Sequence, residues 1–323
     1  MNVDKLCEII FDTLHDYFVC VNKHDNKWWY FEDHRWNYED GLYVIPKILD
    51  NFIDTSQQTE YIYEKLKDLF FKNDFEKRLN SKFNLIGFKQ GVYDLKKGFR
   101  SGRPDDYISY CTGYEYKEYK TDDPMIVELL KLLGNEDLDM IVTHIASTLY
   151  GIHNMMTIWM PDSETRNTKC MDILLEMCCY SFGEYFSIFN LSSKLAIKDD
   201  VSTKNKRMLI ADITDCTTGC NLETLDYVLK YGNPIVICDT MPDISLDHRV
   251  WDVTQVFTWP TYTFGNDIDT KKMHEYKDAF MWLLINFYYQ RFLLEKETND
   301  KIEKHVKDIQ QNRLSQVQSA QEA

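Results

Sequence analysis

From Met125 onward, short apolar runs alternate with segments of helical period, and few folds accommodate that alternation. Met156–Met160, Arg207–Ile213 and Pro234–Cys238 are β-rich runs with no polar residue on every second position. Such runs read as strands covered on both faces, which is the condition of a parallel sheet. Val253–Trp259 reads as a further strand, and Met125–Leu133, Asp137–Tyr150 and residues 169–180 read as helices. Strand, loop and helix in succession predict an α/β domain with a mostly parallel sheet flanked by helices.

The chain before that point has a different texture. Val3–Val21 places Leu6, Ile9, Ile10, Leu14, Tyr17 and Phe18 at helical spacing, which predicts an amphipathic helix. The run Lys27–Trp36 (KWWYFEDHRW) has two aromatic, strand-like pieces about a turn at Glu32–His34, the pattern of a β-hairpin. Val44–Phe71 reads as helical, and Phe75–Leu85 is expected to continue so. Short apolar pieces separated by Gly and Pro then predict a small β-rich lobe, up to a helix start at Thr121-Asp-Asp-Pro124. The expected organisation is a small mixed α+β N-terminal domain over 1–120, the sheet domain over 121–294, and a charged, Gln-rich tail over 295–323.

With 323 residues, 44% hydrophobic, the chain has enough material for two packed domains. Its 52 Asp+Glu against 37 Lys+Arg give a net charge of −15, which repels phosphate backbones wherever basic residues are not gathered locally. Lys96, Lys97, Arg100 and Arg103 form the densest basic cluster and are the candidate nucleic-acid contacts. Trp28, Trp29, Tyr30, Phe31 and Trp36 read as the packing face of the hairpin, with stacking on bases as the alternative. The 9 cysteines lie mostly in apolar runs and no secretory signal is visible, so a reducing compartment is expected. Cys216 and Cys220 have no second ligand pair at zinc spacing, and no metal is assigned. Ala279–Leu294 is too short and too interrupted to cross a bilayer, so a buried amphipathic helix is expected.

Three stretches resemble the D5-like primase-helicases of large DNA viruses, superfamily 3 proteins of the AAA+ type. NLIGFKQGVYDL followed by GRPDDYISYCTGYEY, within Asn84–Tyr116, is similar to the signature of that family's domain preceding the helicase. Leu149-Tyr-Gly151, Thr157–Met160, a polar loop, Met171–Cys179 and Gly183-Glu-Tyr185 follow the family's order of helix end, strand, phosphate loop, helix and G-x-Y. Lys206–Asp212 resembles the strand carrying the metal-linked acid, and Pro234–Asp243 resembles the sensor strand. The resemblance implies an AAA+-like fold for the sheet domain.

Set against a G-x-x-x-x-G-K-[ST] phosphate loop, this chain has Ser163-Glu-Thr-Arg-Asn-Thr168-Lys169-Cys170. Ser163 and Thr168 replace both glycines, so the backbone loses the freedom a nest of amides needs. Glu164 adds a negative charge, and Cys170 offers a soft thiol where Mg²⁺ takes a hard oxygen. By resemblance Asp212 stands at the acid position, Asp239 at the sensor position usually held by Asn, and Arg249 nearest the arginine finger. The plainer readings stand beside these: Lys169 as a surface residue of a connecting loop, and Asp212 as the cap of the next turn. The interval Ile213–Cys238, where active relatives carry basic pore loops, holds Asp215, Glu223 and Asp226 against Lys230.

The expectation is a catalytically degenerate homologue of a viral replication helicase, serving as a non-hydrolysing adaptor or structural protein. The alternatives are a weakly active NTPase/DNA helicase, and a virion structural or interaction protein on a helicase-derived scaffold. No cofactor is expected, with ATP and Mg²⁺ only for a competent nucleotide site. Expected partners are viral proteins of the replication complex or virion. A homo-oligomer is implied by resemblance, while neither DNA nor membrane is expected. The implied location is the host cytoplasm, in a viral factory, or the virion. Because the sequence opens at the block preceding the helicase, primase activity is not expected.

Overall fold

A computed structural model describes residues 2–50, 52, 60–133, 136–151, 156–160, 169–189, 205–212, 222–238, 244, 249–258 and 270–298. Helix α1 (Val3–Leu14) starts at Asn2, whose side chain accepts the Asp4 amide at 3.3 Å. It stops well short of the expected Val21. Phe18–Asn22 is instead strand β1, because Val19 and Cys20 must point to opposite faces of a sheet. Strands β2 (Lys27–Glu32) and β3 (Arg35–Asp40) form the expected hairpin, giving an antiparallel order β1-β2-β3. Asp33 and His34 at its tip both have positive φ, the conformation that joins right-twisted strands in two residues.

The hairpin's aromatics divide by parity. Trp28 is fully buried under α1, α2 (Gly41–Leu49) and α3 (Glu60–Leu69), with Ile10, Ile45, Leu66 and Phe70. Trp36, 3% exposed, lies on the opposite face with Val19, Phe75 and Leu79. The packing-face reading therefore holds for both. The single helix expected over Val44–Phe71 is split between α2 and α3. The helix expected over Phe75–Leu85 is a correction: one 3₁₀ turn spans Phe75–Lys77, Asn80 is left-handed, and strand β4 starts at Leu85. Asn80 explains the break, since its side chain donates to Ser109 Oγ and accepts the Ser109 and Tyr110 amides, fixing a turn. Strands β4 (Leu85–Phe88), β5 (Gly91–Asp94) and β6 (Gly98–Arg100) then form the small antiparallel lobe.

Beyond α4 (Pro124–Leu133) and α5 (Glu136–Ser147) lies a five-stranded sheet in which every pairing is parallel. Its strands are β7 (Met156–Met160), β8 (Phe186–Phe189), β9 (Met208–Asp212), β10 (Pro234–Ile237) and β11 (Thr254–Thr258), in the order β11-β7-β10-β9-β8. Trp159, Met208, Ile210, Ile235 and Ile237 face a core shared with α4, α5, α6 (Lys169–Phe182) and α8 (Lys277–Leu283). Met156, Ile158, Leu209, Ala211 and Val236 face the other way, against Leu225, Val228 and Leu229 of α7 (Leu222–Tyr231). Both faces are covered, so the expected α/β class is the one present. Sequence reading missed β8, whose four residues follow the Gly183–Tyr185 turn directly and are too short to show a period of their own.

The apolar stretch after α8 contains a π-helical turn, Leu284–Tyr288, before helix resumes over 289–298. That turn holds Asn286, which meets the Tyr93 hydroxyl of β5 at 3.3 Å and donates to Trp282 O. The polar interruption of the stretch is thus a contact to the N-terminal lobe. Among the described residues, no helix is long and apolar enough to cross a membrane. The remainder of the tail lies outside them.

Candidate functional site

The order of the parallel strands locates a crevice before any side chain is considered. The chain leaves β7 towards β8 at one edge of the sheet, whereas β11 lies on the other side of β7. Connections diverging at a strand's carboxyl end open the crevice where α/β sheets bind ligands. Met160 ends β7 at that point, and Lys169 begins α6 on the far side of the loop. The register places Asp212 beside Ile237, and Ile237 beside Trp159. Asp212 therefore stands two strand spacings from β7, on the order of 10 Å.

Backbone connectivity so brings Lys169, Cys170 and Asp212 to one edge of the sheet; their side chains, with Ser163, Thr168 and Asp239, lie outside the described residues. Asp172, which sequence reading passed over, sits exposed in the first turn of α6. It occupies the end of the helix whose dipole and free amides would otherwise favour an anion. Arg249 opens a 3₁₀ turn before β11, and its side chain is 76% exposed. Its guanidinium is 3.0 Å from Asp226 Oδ1 on α7, so the candidate finger is engaged within its own chain. Glu223 and Lys230 of α7 are exposed, and Asp215 lies outside the described residues.

The basic cluster of the N-terminal lobe is only partly available. Lys96 and Lys97 are exposed on the β5–β6 turn, and Arg103 is exposed beyond β6. Arg100 is not: both its terminal nitrogens lie 2.7 Å from the oxygens of buried Asp106, which also accepts the Arg103 amide at 2.8 Å. Arg100 is a structural brace of the GRPDDY segment.

Gly183-Glu-Tyr185 is where the sheet grips that lobe. Gly183 has φ +52, and a Cβ there would meet Thr112 O at 2.3 Å. Glu184 Oε2 accepts the Cys111 amide at 2.7 Å and pairs with Arg35 at 3.2 Å. The Tyr185 hydroxyl accepts the Gly87 amide and donates to Tyr110 O, while Tyr114 at the end of the lobe donates to Ser181 O of α6. Arg207, leading into β9, donates to Phe83 O at 2.7 Å and Leu85 O at 3.2 Å. Burial pushes its pKa down to about 10, still protonated at neutral pH, and its Nε and Nη1 find no partner among the described residues. Gly183-Glu-Tyr185 stood out in the sequence only through its resemblance to the D5-like pattern; the fold shows what it holds.

Residues 7–133 match the family model described as D5 N terminal like. The chain is similar to an Acanthamoeba polyphaga mimivirus protein named "Putative helicase L207/L206", at 22% identity over 84% of this chain. It spans 38% of that relative's length. Among solved structures, an A form apo structure of the NrS-1 C-terminal region is similar at a TM-score of 0.48 and 12% identity, covering 88% of this chain and 68% of that one. A second structure of that region, residues 305–718, gives a TM-score of 0.46 with 12% identity, covering 90% and 68%.

Proposed function

We propose that this chain, which belongs to the D5-like viral helicase family, is a non-hydrolysing member whose surface serves as an adaptor or structural element among viral replication or virion proteins. The observation that carries this reading is the phosphate-loop sequence itself, Ser163 to Cys170, which lacks both glycines and the hydroxyl that would hold Mg²⁺. Two structural features support it. Asp172 adds a carboxylate at the amino end of α6, and Arg249 is paired with Asp226. A triphosphate with its Mg²⁺ does not fit such a set. The acidic interval 213–238 supplies little of the charge that strand binding requires.

A second reading, a weak NTPase, draws on one observation: the strand order keeps Lys169 and Asp212 at one edge of the sheet. Phosphate release and binding of a fluorescent ATP analogue by the whole chain separate the two. Neither activity above the Lys169→Ala background supports the adaptor; turnover abolished by Lys169→Ala refutes it. Assembly into a ring on addition of ATP and Mg²⁺ would equally favour the enzyme.

A further inference from the structure

We propose that the cleft beside Tyr107 in the N-terminal lobe binds one nucleobase, carried by a free nucleotide or by a single-stranded end. The cleft encloses about 280 Å³. That is near the low end of ligand pockets, which run from about 300 Å³ upward, and it suits one ring system with its sugar, not a polymer tract.

Its floor is apolar and fixed. Val19, Trp36 and Phe75 are buried there, with the Trp36 and Phe75 rings edge-to-face at 4.7 Å. Trp36 Nε1 donates to Pro104 O at 2.8 Å, tying the floor to the 104–107 turn. Two aromatic walls flank it, Tyr17 at 46% exposure and half-buried Tyr107, whose ring also has the Arg78 guanidinium 5.8 Å from its centre and whose hydroxyl accepts from Arg78 at 3.3 Å. Tyr107 adopts the left-handed conformation at φ 56°, ψ 31°, which is costly for an aromatic residue. Its amide donates to Pro104 O, and its carbonyl accepts the Asn80 amide at 2.7 Å. The fold thus holds this ring on the cleft wall against the backbone's own preference.

The rim offers both kinds of hydrogen-bonding group. Lys72 and Arg78 line it, and Lys82 lies 5.6 Å from the Tyr107 ring. Asp16, Asp74 and Asp105 supply carboxylates, of which Asp74 is held by Arg78 at 2.7 Å. A base has two π faces and an edge of mixed donors and acceptors, so aromatic walls with a mixed-sign rim match it better than they match a bare phosphate or a lone cation. Lys72, whose ammonium donates to His15 O at 3.4 Å, is the lysine of the lining that an attached phosphate would meet. The chain's net charge of −15 opposes a longer strand, so the cleft is a single-base recess.

The test uses the whole chain and a short fluorescein-labelled single-stranded oligonucleotide, followed by anisotropy. Saturable binding is expected, displaced by a mononucleotide but not by inorganic phosphate. Displacement by mononucleotide as effectively as by unlabelled strand indicates a free nucleotide; a strong preference for the strand indicates a single-stranded end, and both uphold the site. Tyr107→Asn, which tolerates the left-handed backbone, should weaken binding by about tenfold, while Tyr107→Phe retains it. Tyr17→Ser, at an exposed wall, gives the same reading should Tyr107→Asn fail to fold. Undetectable binding, unchanged binding by both variants, displacement by phosphate alone, or capture of a basic peptide instead would overturn the proposal.

Discussion

The Tyr185 hydroxyl accepts the backbone amide of Gly87 at 2.7 Å, joining the parallel sheet to the β4 strand of the N-terminal lobe across 98 positions of sequence. The same hydroxyl donates to Tyr110 O at 3.1 Å, and the side chain is buried. Tyr185→Phe keeps the ring but leaves a buried N–H without its acceptor, at a cost of about 1–3 kcal/mol. Urea unfolding followed by circular dichroism checks this. A single transition shifted to lower urea is expected; an unchanged midpoint would mean that the lobe is not held here.

Arg100 and Asp106 form the second brace. The carboxylate is buried and takes two charge-assisted bonds from Arg100 and one from the Arg103 amide. Asp106→Asn removes the negative charge while leaving the guanidinium in place, and is expected to cost about 3 kcal/mol. Arg100→Lys is expected to fail as a rescue, because an ammonium cannot span both oxygens. Thermal melting of the two variants reads both outcomes, and a melting point equal to the parent's would refute the brace.

Stability should fall on the alkaline side. Burial raises the Cys20 thiol to about 11 and the Tyr288 phenol to about 12. Both groups are neutral when protonated, so between the ordinary and raised values the unfolded chain has lost protons that the folded chain keeps. The unfolded state then binds fewer protons, and stability declines as pH rises from about 9 towards 12. For Cys20 alone the loss is on the order of 2 kcal/mol once pH passes its folded value. Urea midpoints should be level from pH 7 to about 8.5 and then drop. Cys20→Ala should flatten the part of the slope below about pH 11, and an identical slope would remove Cys20 as its source.

How much of this was legible in the sequence depends on the kind of signal. β7, β9 and β10 carry apolar runs that read as buried parallel strands, and β11 was placed beside them although Thr254, Gln255 and Thr258 interrupt its apolar pair. β1 was hidden because Phe18 extends the helical spacing of α1 by chance, and nothing local marks the change of period at Tyr17. The stretch after Phe75 was hidden for another reason. Asn80 breaks it by bonding to Ser109 and Tyr110, about 30 positions away, which no local window contains. At the candidate site, the departures of Ser163, Thr168 and Cys170 from G-x-x-x-x-G-K-[ST] could be read because that pattern has fixed spacing, and the loop itself lies outside the described residues. The capture of Arg249 by Asp226 was not, since ion pairs between separate elements leave no periodic trace.

That last pair yields the sharpest separation between the two functional readings. Arg249 and Asp226 are both solvent-accessible, at 76% and 37% side-chain exposure, so their 3.0 Å contact contributes little to stability. Arg249→Ala is therefore expected to shift the unfolding free energy by no more than about 0.5 kcal/mol. In a working ring an arginine finger supplies about a thousandfold or more in turnover, acting on the nucleotide of a neighbouring subunit. In a non-hydrolysing member, Arg249→Ala leaves phosphate release at the buffer baseline. Releasing the arginine with Asp226→Asn should likewise leave it there, because a free guanidinium does not restore the glycines missing from the Ser163–Cys170 sequence. Measurable hydrolysis by Asp226→Asn, lost again in the Arg249→Ala background, would show that the pair restrains an active site and would sink the adaptor reading.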